Sequence, residues 1–432
     1  MVVDCLRYNE EYRSEDEAMS SADEFYDDLE TRDPSQREEQ LMTELSAQLA
    51  HAKTNAPHYA EAFADLDPGS INSREALAGL PTTRKSDLAV LQKKTPPLGG
   101  INTVPLSELS HIFSSPGGIY EPDSPRKDYW RYARALWAAG VRPGHIVYNT
   151  FSYHLTPAGM LVESGCRAIG CPVVPGGVGN TEIQIQLMAD LKPDFFIGTP
   201  SFLRIVLTKA RELGHDLSNL KNGLVGAEAL PPSLRQELSD LGVSVLQGYG
   251  TADLGSVAYE TNAIDGMVID EGVILEIVEP LGTKPLPEGE VGEVVVTTLN
   301  PTYPLIRFAT GDLSTILPGT SPCGRTNMRI SGWMGRADQS TKFKGMFVHP
   351  SGVMQITGRH PEIIKARLII FSENNTDMMT LKVAAPGADP SLVKAIEDSI
   401  QVVLKLRGSA ELVEADSLPD DGLAIEDARS YE

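Results

Sequence analysis

Short apolar segments alternate with longer amphipathic segments through the middle of the chain, from about residue 128 to residue 255. The short segments are typical of buried strands, and the longer ones, where apolar residues recur at every third or fourth position, indicate helices. Because this alternation is typical of βαβ units, we predict a parallel sheet with helices on both faces. The predicted elements, in order, are helix 128–139, strand 145–149, helix 159–168, strand 171–175, helix 181–191, strand 195–198, helix 200–213, strand 223–227, a helix from 233 and strand 243–246.

Different patterns flank this region. Leucines recur at every fourth position from Leu41 to Leu49 and predict a helix within about 35–64, which Pro57 interrupts. From Met267 onward, short β-type segments joined by Pro and Gly turns predict antiparallel sheet. The predicted fold class is therefore α/β: a large N-terminal lobe with βαβ sheets and a β-rich subdomain, then a small α+β C-terminal lobe. The predicted boundaries are 1–24 for an acidic lead-in, 25–337 for the large lobe and 338–432 for the small lobe.

The overall charge limits the partners that this chain can have. It has 432 residues and a formal net charge of −22, which argues against nucleic acid and anionic membrane as main partners. An anionic ligand must then be met locally, by glycine-rich backbone, a few cations or a metal ion. The N-terminus lacks an apolar signal segment, and no apolar run is long enough to span a membrane. The cysteines show no paired spacing, so we expect a reducing, cytoplasmic setting; they are Cys5, Cys166, Cys171 and Cys323.

The stretch 246–255 predicts a ligand site at the end of a strand. We expect the strand to break at Gly248 and to lead into a tight loop at Tyr249 and Gly250. Glycine lets the backbone approach a ligand closely, Tyr249 offers a flat face to a purine, and Asp253 can hold magnesium beside phosphate oxygens. On this stretch alone, an ordinary strand-to-loop turn is the alternative.

Polar and aromatic residues also follow two other predicted strands. Because ligands of parallel sheets bind beyond the carboxyl ends of the strands, we expect these segments to converge with 246–255 on one edge. A Ser/Gly/Pro segment over 110–122 is a further candidate, since such loops can wrap phosphates, although a plain hairpin loop is the commoner structure. The residues at the two strand ends are Phe151, Tyr153 and His154, and Gly226, Ala227 and Glu228.

Several motifs follow one another in a recognisable order. They are 80–83 with Lys85, Asp87 and Leu88, then Ser114–Ser115, 226–228, 248–253, 304–312, 323–326, and 335–338 with Lys344 and Gly345. In this order and spacing the chain resembles the adenylate-forming superfamily, and most closely the phenylacetate–CoA ligase family. The resemblance extends over roughly residues 25–420, and its specificity comes from the order of the motifs rather than from any single one.

This resemblance implies a reaction in two halves. A carboxylate attacks the α-phosphate of ATP to give an acyl-adenylate and pyrophosphate, and the thiol of CoA then attacks the acyl-adenylate. The difficulty of the first half is the approach of one anion to another, which positive charge and positioning overcome. The implied cofactors are ATP or AMP, Mg and CoA, and the implied partner is a small carboxylic acid. The resemblance also implies a homodimer and a small lobe that is mobile about a hinge.

The resemblance also implies which residues hold the nucleotide. Tyr249 would line the adenine, and Asp312 would accept bonds from both ribose hydroxyls, which requires a planar acceptor with two oxygens. Arg307 would support the loop before Asp312 or contact a phosphate. The implied nucleotide-binding residues are Ser114, Ser115, Gly226, Ala227, Glu228, Gly248, Tyr249, Gly250, Arg307 and Asp312.

Other positions match catalytic, hinge and acyl-pocket residues of the family. Asp338 would be the hinge. The implied catalytic residues are Thr251 near the α-phosphate, Asp253 as the Mg ligand, and Lys344. The implied acyl pocket is aromatic or otherwise apolar, with core packing as the alternative for its members; they are Phe151, Tyr153 and His154.

The phosphate loop departs from the family pattern. The family pattern in this loop usually has two threonines and then a lysine or proline, and the segment 114–121 has neither the threonines nor a cation. Pro116 removes a backbone donor and Glu121 adds a negative charge. We therefore expect this loop to hold a triphosphate poorly.

The C-terminal end also departs from the family. Leu423 stands where the family has a catalytic lysine, and the last lysine of the chain is Lys405. The loss of one charge from a phosphoryl transition state can lower a rate by orders of magnitude. Ala309 stands where the family has an arginine in its Arg-Thr-Gly-Asp motif.

Matches and departures together lead to one main hypothesis. The chain is predicted to be an AMP-forming acid–CoA ligase-like enzyme for an aromatic or apolar acid. It is predicted to retain the adenylate-binding site but to have fewer of the residues that activate ATP. The first alternative is a non-catalytic or half-reaction-only protein that binds acyl-CoA or AMP on the same fold. A second alternative is a complete ligase that recruits Lys342 or Lys344 as the catalytic lysine.

Overall fold

The computed structural model describes residues 24–429 of the chain, apart from 116, 335, 338–340, 349, 374–375 and 420–422. Its helices are α1 Pro34–Asn55, α2 Pro57–Ala62, α3 Arg74–Ala78, α4 Lys85–Lys94, α5 Ala133–Ala138, α6 Ala158–Ile169, α7 Thr181–Leu191, α8 Pro200–Leu213, α9 Pro232–Asp240, α10 Pro350–Thr357 and α11 Ser391–Leu404. Its strands are β1 Thr83–Arg84, β2 His111–Ser115, β3 Ile119–Asp123, β4 Val147–Asn149, β5 Val173–Pro175, β6 Phe195–Gly198, β7 Asn222–Val225, β8 Ser244–Thr251, β9 Gly255–Glu260, β10 Met267–Ile269, β11 Val273–Val278, β12 Gly292–Thr298, β13 Phe308–Ser314, β14 Ile316–Leu317, β15 Arg329–Ile330, β16 Thr341–Phe343, β17 Met346–Val348, β18 Lys365–Glu373, β19 Thr376–Ala384, β20 Ser409–Leu412 and β21 Ile425–Asp427.

The described strands of the large lobe include a mixed sheet in the order β14-β15-β10-β9-β8-β7-β6-β4-β5. Strands β5, β4, β6, β7 and β8 pair in parallel, which confirms the βαβ prediction. Strands β8, β9, β10, β15 and β14 pair antiparallel. Strand β8 therefore joins the parallel half of the sheet to the antiparallel half.

Helices cover both faces of the parallel strands, as predicted. Along β6, Phe195 and Ile197 belong to a buried cluster with residues of α5 and α6, whereas Phe196 belongs to another with residues of α7, α8 and α9. Successive side chains of a strand point to opposite faces, so one apolar run supplies both clusters. This explains why the central strands are apolar throughout rather than alternating.

The predicted helix over 128–139 is wrong in its first part, because the helix begins only at Ala133. Asp128 and Arg131 have left-handed φ values of 47° and 60°. The Asp128 carboxylate accepts hydrogen bonds from the backbone of Tyr132 at 2.9 Å and of Ala133 at 3.0 Å. The guanidinium of Arg131 lies 3.4 Å from buried Asp270. These contacts with distant chain override the helical pattern of the sequence.

A second sheet, of order β1-β13-β12-β11, contains a buried arginine that the sequence had assigned to the nucleotide. Arg307 is 0% exposed, and its Nε and Nη2 donate to the two oxygens of Glu276, each at 3.0 Å. The remaining guanidinium bonds go to the carbonyls of Ala78, Leu80 and Thr283. The nucleotide-binding prediction for Arg307 is therefore corrected: its donors are used within the protein, and it supports the chain that leads to Asp312.

The described C-terminal residues form a separate sheet of order β20-β19-β18-β21 and the hairpin β16–β17. Residues of α10 and α11 and of these strands share one apolar cluster, as expected for an α+β unit. Among the described residues, no helix combines the length and the hydrophobicity that a bilayer span requires.

We expect Arg307→Met to lower the free energy of unfolding by about 3–5 kcal/mol, because Glu276 would remain buried without its partner. Urea unfolding followed by circular dichroism would measure the change, with Arg167→Met on the exposed surface of α6 as the matched control. The double variant Arg307→Met/Glu276→Leu should recover part of the loss. A loss below about 1 kcal/mol for the single variant would contradict the importance of this pair.

Candidate functional site

The carboxyl ends of β4, β6, β7 and β8 form one edge of the large sheet. The Gly226 amide donates to the carbonyl of Gly198 at 3.1 Å, and a Cβ at Gly226 would lie 3.1 Å from the carbonyl oxygen of Gly248. The Gln247 side chain donates to the carbonyl of Glu228 at 3.2 Å. The loops after β4 and β7 therefore begin on the same edge, as the sequence predicted, and the loop after β7 contacts β8 at Gln247 and Gly248.

Tyr249 and Gly250 do not form the tight loop that the sequence predicted. Strand β8 continues to Thr251 and pairs with β9, and the turn falls at 252–254. A Cβ at Gly250 would lie 2.3 Å from the carbonyl oxygen of Gly255, so this glycine is required by the pairing of the two strands. The local pattern looked like a loop because glycine is rare in strands, and only the approach of β9 explains it.

The structure brings Tyr249 and Asp312 together across the two sheets. The Tyr249 hydroxyl donates to Oδ2 of Asp312 at 3.0 Å. The other oxygen, Oδ1, accepts from Nε1 of Trp333 at 3.1 Å and from Nη1 of Arg336 at 3.0 Å. Burial, followed by the negative charge of Asp312, raises the pKa of Tyr249 well above its usual value, so its hydroxyl remains a donor. The Asp312 carboxylate is thus held in one orientation by donors from three directions.

The segment over 110–122 is a β-hairpin in which Ser114 pairs with Tyr120 and Ser115 with Ile119. Both donors of Ser115 go to Glu121: its amide lies 3.2 Å from Oε2, and its hydroxyl donates to Oε1. The Ser114 amide donates to the carbonyl of Leu155 at 2.8 Å, which fixes the hairpin against the loop after β4. The internal carboxylate therefore occupies donors of the hairpin that a phosphate group would otherwise meet.

A lysine that the site prediction missed lies beside this hairpin. Nζ of Lys85 lies 2.8 Å from Oδ2 of Asp253 and 3.5 Å from the Ser115 hydroxyl, and 37% of its side chain is exposed. Lys85 is the first residue of α4, and β1 just before it pairs in parallel with β13 at Phe308 and Ala309. The hairpin has no positive side chain where the family pattern predicts one, but the folded chain places Lys85 beside it. The motif over 80–88 was the signal that could have identified it.

Two carboxyl groups face one lysine at this point, so the net charge depends on whether Glu121 holds a proton. Burial, and next the charge of Asp253, raises the pKa of Glu121 from 4.5 to about 8, while Lys85 and the bonds from Ser115 act in the opposite direction. Burial alone would lower the pKa of Lys85, but the charges of Asp253 and Glu121 raise it above its usual value. Buried Oδ1 of Asp253 has no hydrogen-bond partner among the described residues.

Hard oxygen donors of this kind suit a magnesium ion, which usually takes one or two carboxylates together with phosphate oxygens and water. The part of the chain that the structure describes contains no group of three or more His, Cys, Asp or Glu side chains arranged for a metal. A divalent cation at Asp253 would therefore need oxygens from a ligand as well. Thr251 lies at the end of β8 next to it, where its hydroxyl accepts from the amide of Leu254 at 3.1 Å.

The three residues assigned to an acyl pocket have different surroundings. Phe151 packs against the buried cluster of β4, α5 and α6, which agrees with the core-packing alternative. His154 is exposed. Tyr153 is half-buried, its ring lies against Gly159, and its hydroxyl accepts a hydrogen bond from the side-chain Nδ2 of Asn149 at 2.9 Å. Of the three, Tyr153 is the one positioned to form a wall at the edge of the sheet.

The C-terminal candidates are Lys344, in the hairpin β16–β17, and Asp338, which precedes that hairpin in the chain. Lys344 occupies its turn with a left-handed φ of 47°, is exposed, and holds Nζ 5.1 Å from the ring centroid of Phe343. The predicted hinge, Asp338, lies outside the described residues. Arg336, two residues before it, forms a β-bridge with Asp312 and so connects the start of the small lobe to the site.

Comparison with known proteins places this geometry in context. The family of AMP-binding enzymes matches residues 132–301. A phenylacetate–coenzyme A ligase of Aromatoleum evansii is 31% identical over 384 residues, which cover 84% of this chain and 86% of that protein. A phenylacetate–coenzyme A ligase of Escherichia coli K12 is 31% identical over 406 residues, or 88% of this chain and 89% of that protein.

Among solved structures, 2-hydroxyisobutyryl-CoA ligase has a similar fold. Its complex with 2-HIB-AMP and CoA in the thioesterification state gives a TM-score of 0.82 at 24% identity, covering 97% of this chain and 95% of that one. The same protein in the postadenylation state with 2-HIB-AMP gives a TM-score of 0.70, covering 96% and 94%. The large-lobe and small-lobe organisation predicted as the fold class is confirmed by this likeness.

The raised pKa of Glu121 predicts a specific dependence of stability on pH. The folded state keeps a proton that the unfolded chain releases, so the stabilisation is complete below about pH 4.5 and is lost as the pH rises towards about 8. We expect Glu121→Gln to flatten the fall in unfolding free energy between about pH 5 and pH 9, measured by urea unfolding in EDTA without nucleotide. Exposed Glu108→Gln is the control. Parallel curves for all three proteins would contradict the prediction.

Proposed function

This chain belongs to the phenylacetate–coenzyme A ligase family, and we propose that it is an AMP-forming ligase that joins an aromatic or otherwise apolar carboxylic acid to coenzyme A through an acyl-adenylate. The observation that carries the proposal is the contact between Tyr249 and Asp312, made between two sheets at the carboxyl edge of the parallel strands. Ligands of such folds bind at this edge.

The adenosine half of the nucleotide would lie between the loops that meet at this edge. The Asp312 carboxylate is held in one orientation, and its Oδ2, which accepts from Tyr249, has a further lone pair that would accept a ribose hydroxyl. Tyr249 would contact one side of the adenine, and Gly226, Ala227 and Glu228 would contact the opposite side of the adenine. Close approach of a ligand to the backbone is supported at Gly248, where an added Cβ would meet no atom closer than 3.8 Å.

The phosphate half would face the hairpin β2–β3 and the end of β8. In the first step a carboxylate oxygen of the acid bonds to the α-phosphorus of ATP, and the bond to pyrophosphate breaks. Lys85 would lower the repulsion between these anions, with Ser114, Ser115 and Thr251 as neighbouring polar groups. Mg would add positive charge there, and Asp253 is the residue that would hold it. In the second step the sulfur of CoA bonds to the acyl carbon, and AMP leaves.

The acid would enter beside the loop after β4. Tyr153 would form one wall of the acyl pocket, with Phe151 behind it in the core and His154 at the solvent side. This mostly apolar lining favours an aromatic or apolar acid over a highly charged one.

The small lobe would bring further groups to the second step. The higher TM-score against the thioesterification state of 2-hydroxyisobutyryl-CoA ligase, 0.82 against 0.70, supports an arrangement of the lobes suited to the attack of the thiol. In that arrangement the hairpin turn with Lys344 would act at the site, and Asp338 would be the hinge on which the lobe turns.

A second candidate is a protein that performs the thioester half-reaction only, or binds acyl-CoA or AMP without turnover. It is favoured by the chain's departure at Leu423, which is 37% exposed and carries no charge. We further propose a cytoplasmic homodimer, on the basis of the family and of the unpaired spacing of the cysteines.

The proposed activity is tested by incubating the protein with ATP, Mg²⁺, CoA and a panel of aryl and alkyl acids. Release of pyrophosphate and AMP together with formation of an acyl-CoA, detected by mass spectrometry, is the expected result. Acyl-CoA formed only when a synthetic acyl-adenylate replaces ATP and acid would favour the half-reaction. Calorimetric binding of AMP without any turnover would favour the non-catalytic candidate.

We expect Lys85→Met to lower adenylation on the order of 100-fold, because it removes the cation closest to the hairpin. Pyrophosphate release at saturating acid measures the effect, and transfer from a synthetic acyl-adenylate should change much less. Lys93→Met, exposed near the other end of the same helix, is the control. Equal losses in both half-reactions would indicate a general structural effect instead.

We expect Leu423→Lys to increase the rate of pyrophosphate release, since it restores a charge that can approach the α-phosphate when the small lobe turns. Thioester formation from a synthetic acyl-adenylate should not change. Leu423→Met, which keeps an apolar side chain of similar volume, is the matched control. No gain in pyrophosphate release from the lysine variant would show that this position does not limit adenylation.

A further inference from the structure

Glu121 and Asp253 reach the same point of the site from different elements. Glu121 lies on β3 and is 1% exposed, and Asp253 lies in the turn after β8 with 2% of its side chain exposed. Lys85 contacts Asp253 directly and approaches Glu121 through the Ser115 hydroxyl. One ammonium group therefore faces two carboxyl groups, so one negative charge is left over when both acids are ionised.

The Asp253 carboxylate has one oxygen at which a cation could bind. Its Oδ2 contacts Lys85, whereas its buried Oδ1 has no hydrogen-bond partner among the described residues. A buried carboxylate oxygen without a partner is costly, which points to a cation that the protein itself does not supply. The nearby Tyr303 phenol carries no positive charge. Arg336 is directed to Asp312.

We propose that Glu121 is a second protein ligand, together with Asp253, of a divalent cation such as Mg²⁺ beside the hairpin β2–β3. The proposal rests on the proposed function, because nucleotide phosphate oxygens and water would complete the coordination. Magnesium usually binds to one or two carboxylates together with substrate phosphates. The two bonds from Ser115 orient the Glu121 carboxylate, as the outer contacts of metal ligands commonly do.

This assignment gives the departure in the phosphate loop a different meaning. Glu121 was expected to repel a triphosphate, because it adds a negative charge to a loop that has no cation of its own. As a metal ligand it would instead retain a divalent cation beside the phosphates, in addition to the single charge of Lys85. A loop that lacks a positive side chain would then act through a bound ion.

Manganese, which is paramagnetic and prefers similar ligands, is a direct probe of this site. We would titrate Mn²⁺ into the full chain and measure the free ion by electron paramagnetic resonance, with and without a non-hydrolysable ATP analogue. Glu121→Gln and Asp253→Asn should each weaken Mn²⁺ binding about tenfold or more, and exposed Glu108→Gln should leave it unchanged. Lys85→Met should strengthen Mn²⁺ binding without nucleotide, because the competing ammonium group is removed.

Unchanged Mn²⁺ affinity in Glu121→Gln would overturn the proposal, and tighter binding of the ATP analogue in that variant would show that Glu121 only opposes phosphate. If Glu121→Gln does not fold, unchanged Mn²⁺ affinity in Lys85→Met would equally overturn it. Calorimetry with AMP in EDTA separates this outcome from a failure of the proposed function. Wild-type protein that binds AMP supports the nucleotide site whatever the result with Mn²⁺, whereas absence of AMP binding contradicts the function itself.

Discussion

The Asp312 carboxylate is the contact on which the arrangement of the site depends. It belongs to β13 of the four-stranded sheet, and it accepts hydrogen bonds from Tyr249 on β8 of the large sheet and from Trp333 and Arg336 in the segment that leads to the small lobe. A buried carboxylate that lost these donors would be strongly destabilised. The orientation of both sheets and the start of the small lobe are therefore connected through one side chain. In the proposed function, Oδ2 of this carboxylate would accept a hydrogen bond from the ribose.

The electrostatics of the phosphate side follow from the same assembly of distant segments. Within a chain of net charge −22, Lys85 is brought to the hairpin by the pairing of β1 with β13, which ends at Ala309, three residues before Asp312 on the same strand. Arg307 lies next to that pairing and stabilises it through two hydrogen bonds to Glu276. Arg307, which is fully buried, therefore stabilises the fold, whereas Lys85, which is partly exposed, contacts Asp253 beside the hairpin. The sequence alone gave no means to distinguish these roles, because both residues lie in motifs shared with the family.

The departures from the family pattern look different once the site is assembled. The hairpin lacks the threonines and the cation that the family pattern predicts, but Lys85 lies beside it, with Nζ 3.5 Å from the Ser115 hydroxyl and 2.8 Å from Oδ2 of Asp253. Leu423 carries no charge itself, although Lys365 and Arg367 lie near it, so this position remains the feature that best separates a complete ligase from a half-reaction enzyme. Membership of the family, shown by 31% identity over most of the chain, is compatible with either.

The sequence by itself determined the α/β class, the order of the central elements and the family. The bounds of α7, β6 and α8 were predicted to the residue, because each is a continuous local pattern with clear turn residues at its ends. Tertiary structure decided the rest. The helix near Asp128 is shortened because Arg131 contacts buried Asp270. Gly250 looked like a loop residue, but it lies in β8, where the approach of β9 leaves no room for a Cβ: an added one would lie 2.3 Å from the Gly255 carbonyl oxygen. Lys85 and Asp253 are 168 positions apart in the chain, and their contact depends on the packing of separate sheets. Charge pairing of this kind has no local signature, and for that reason only the folded structure could reveal it.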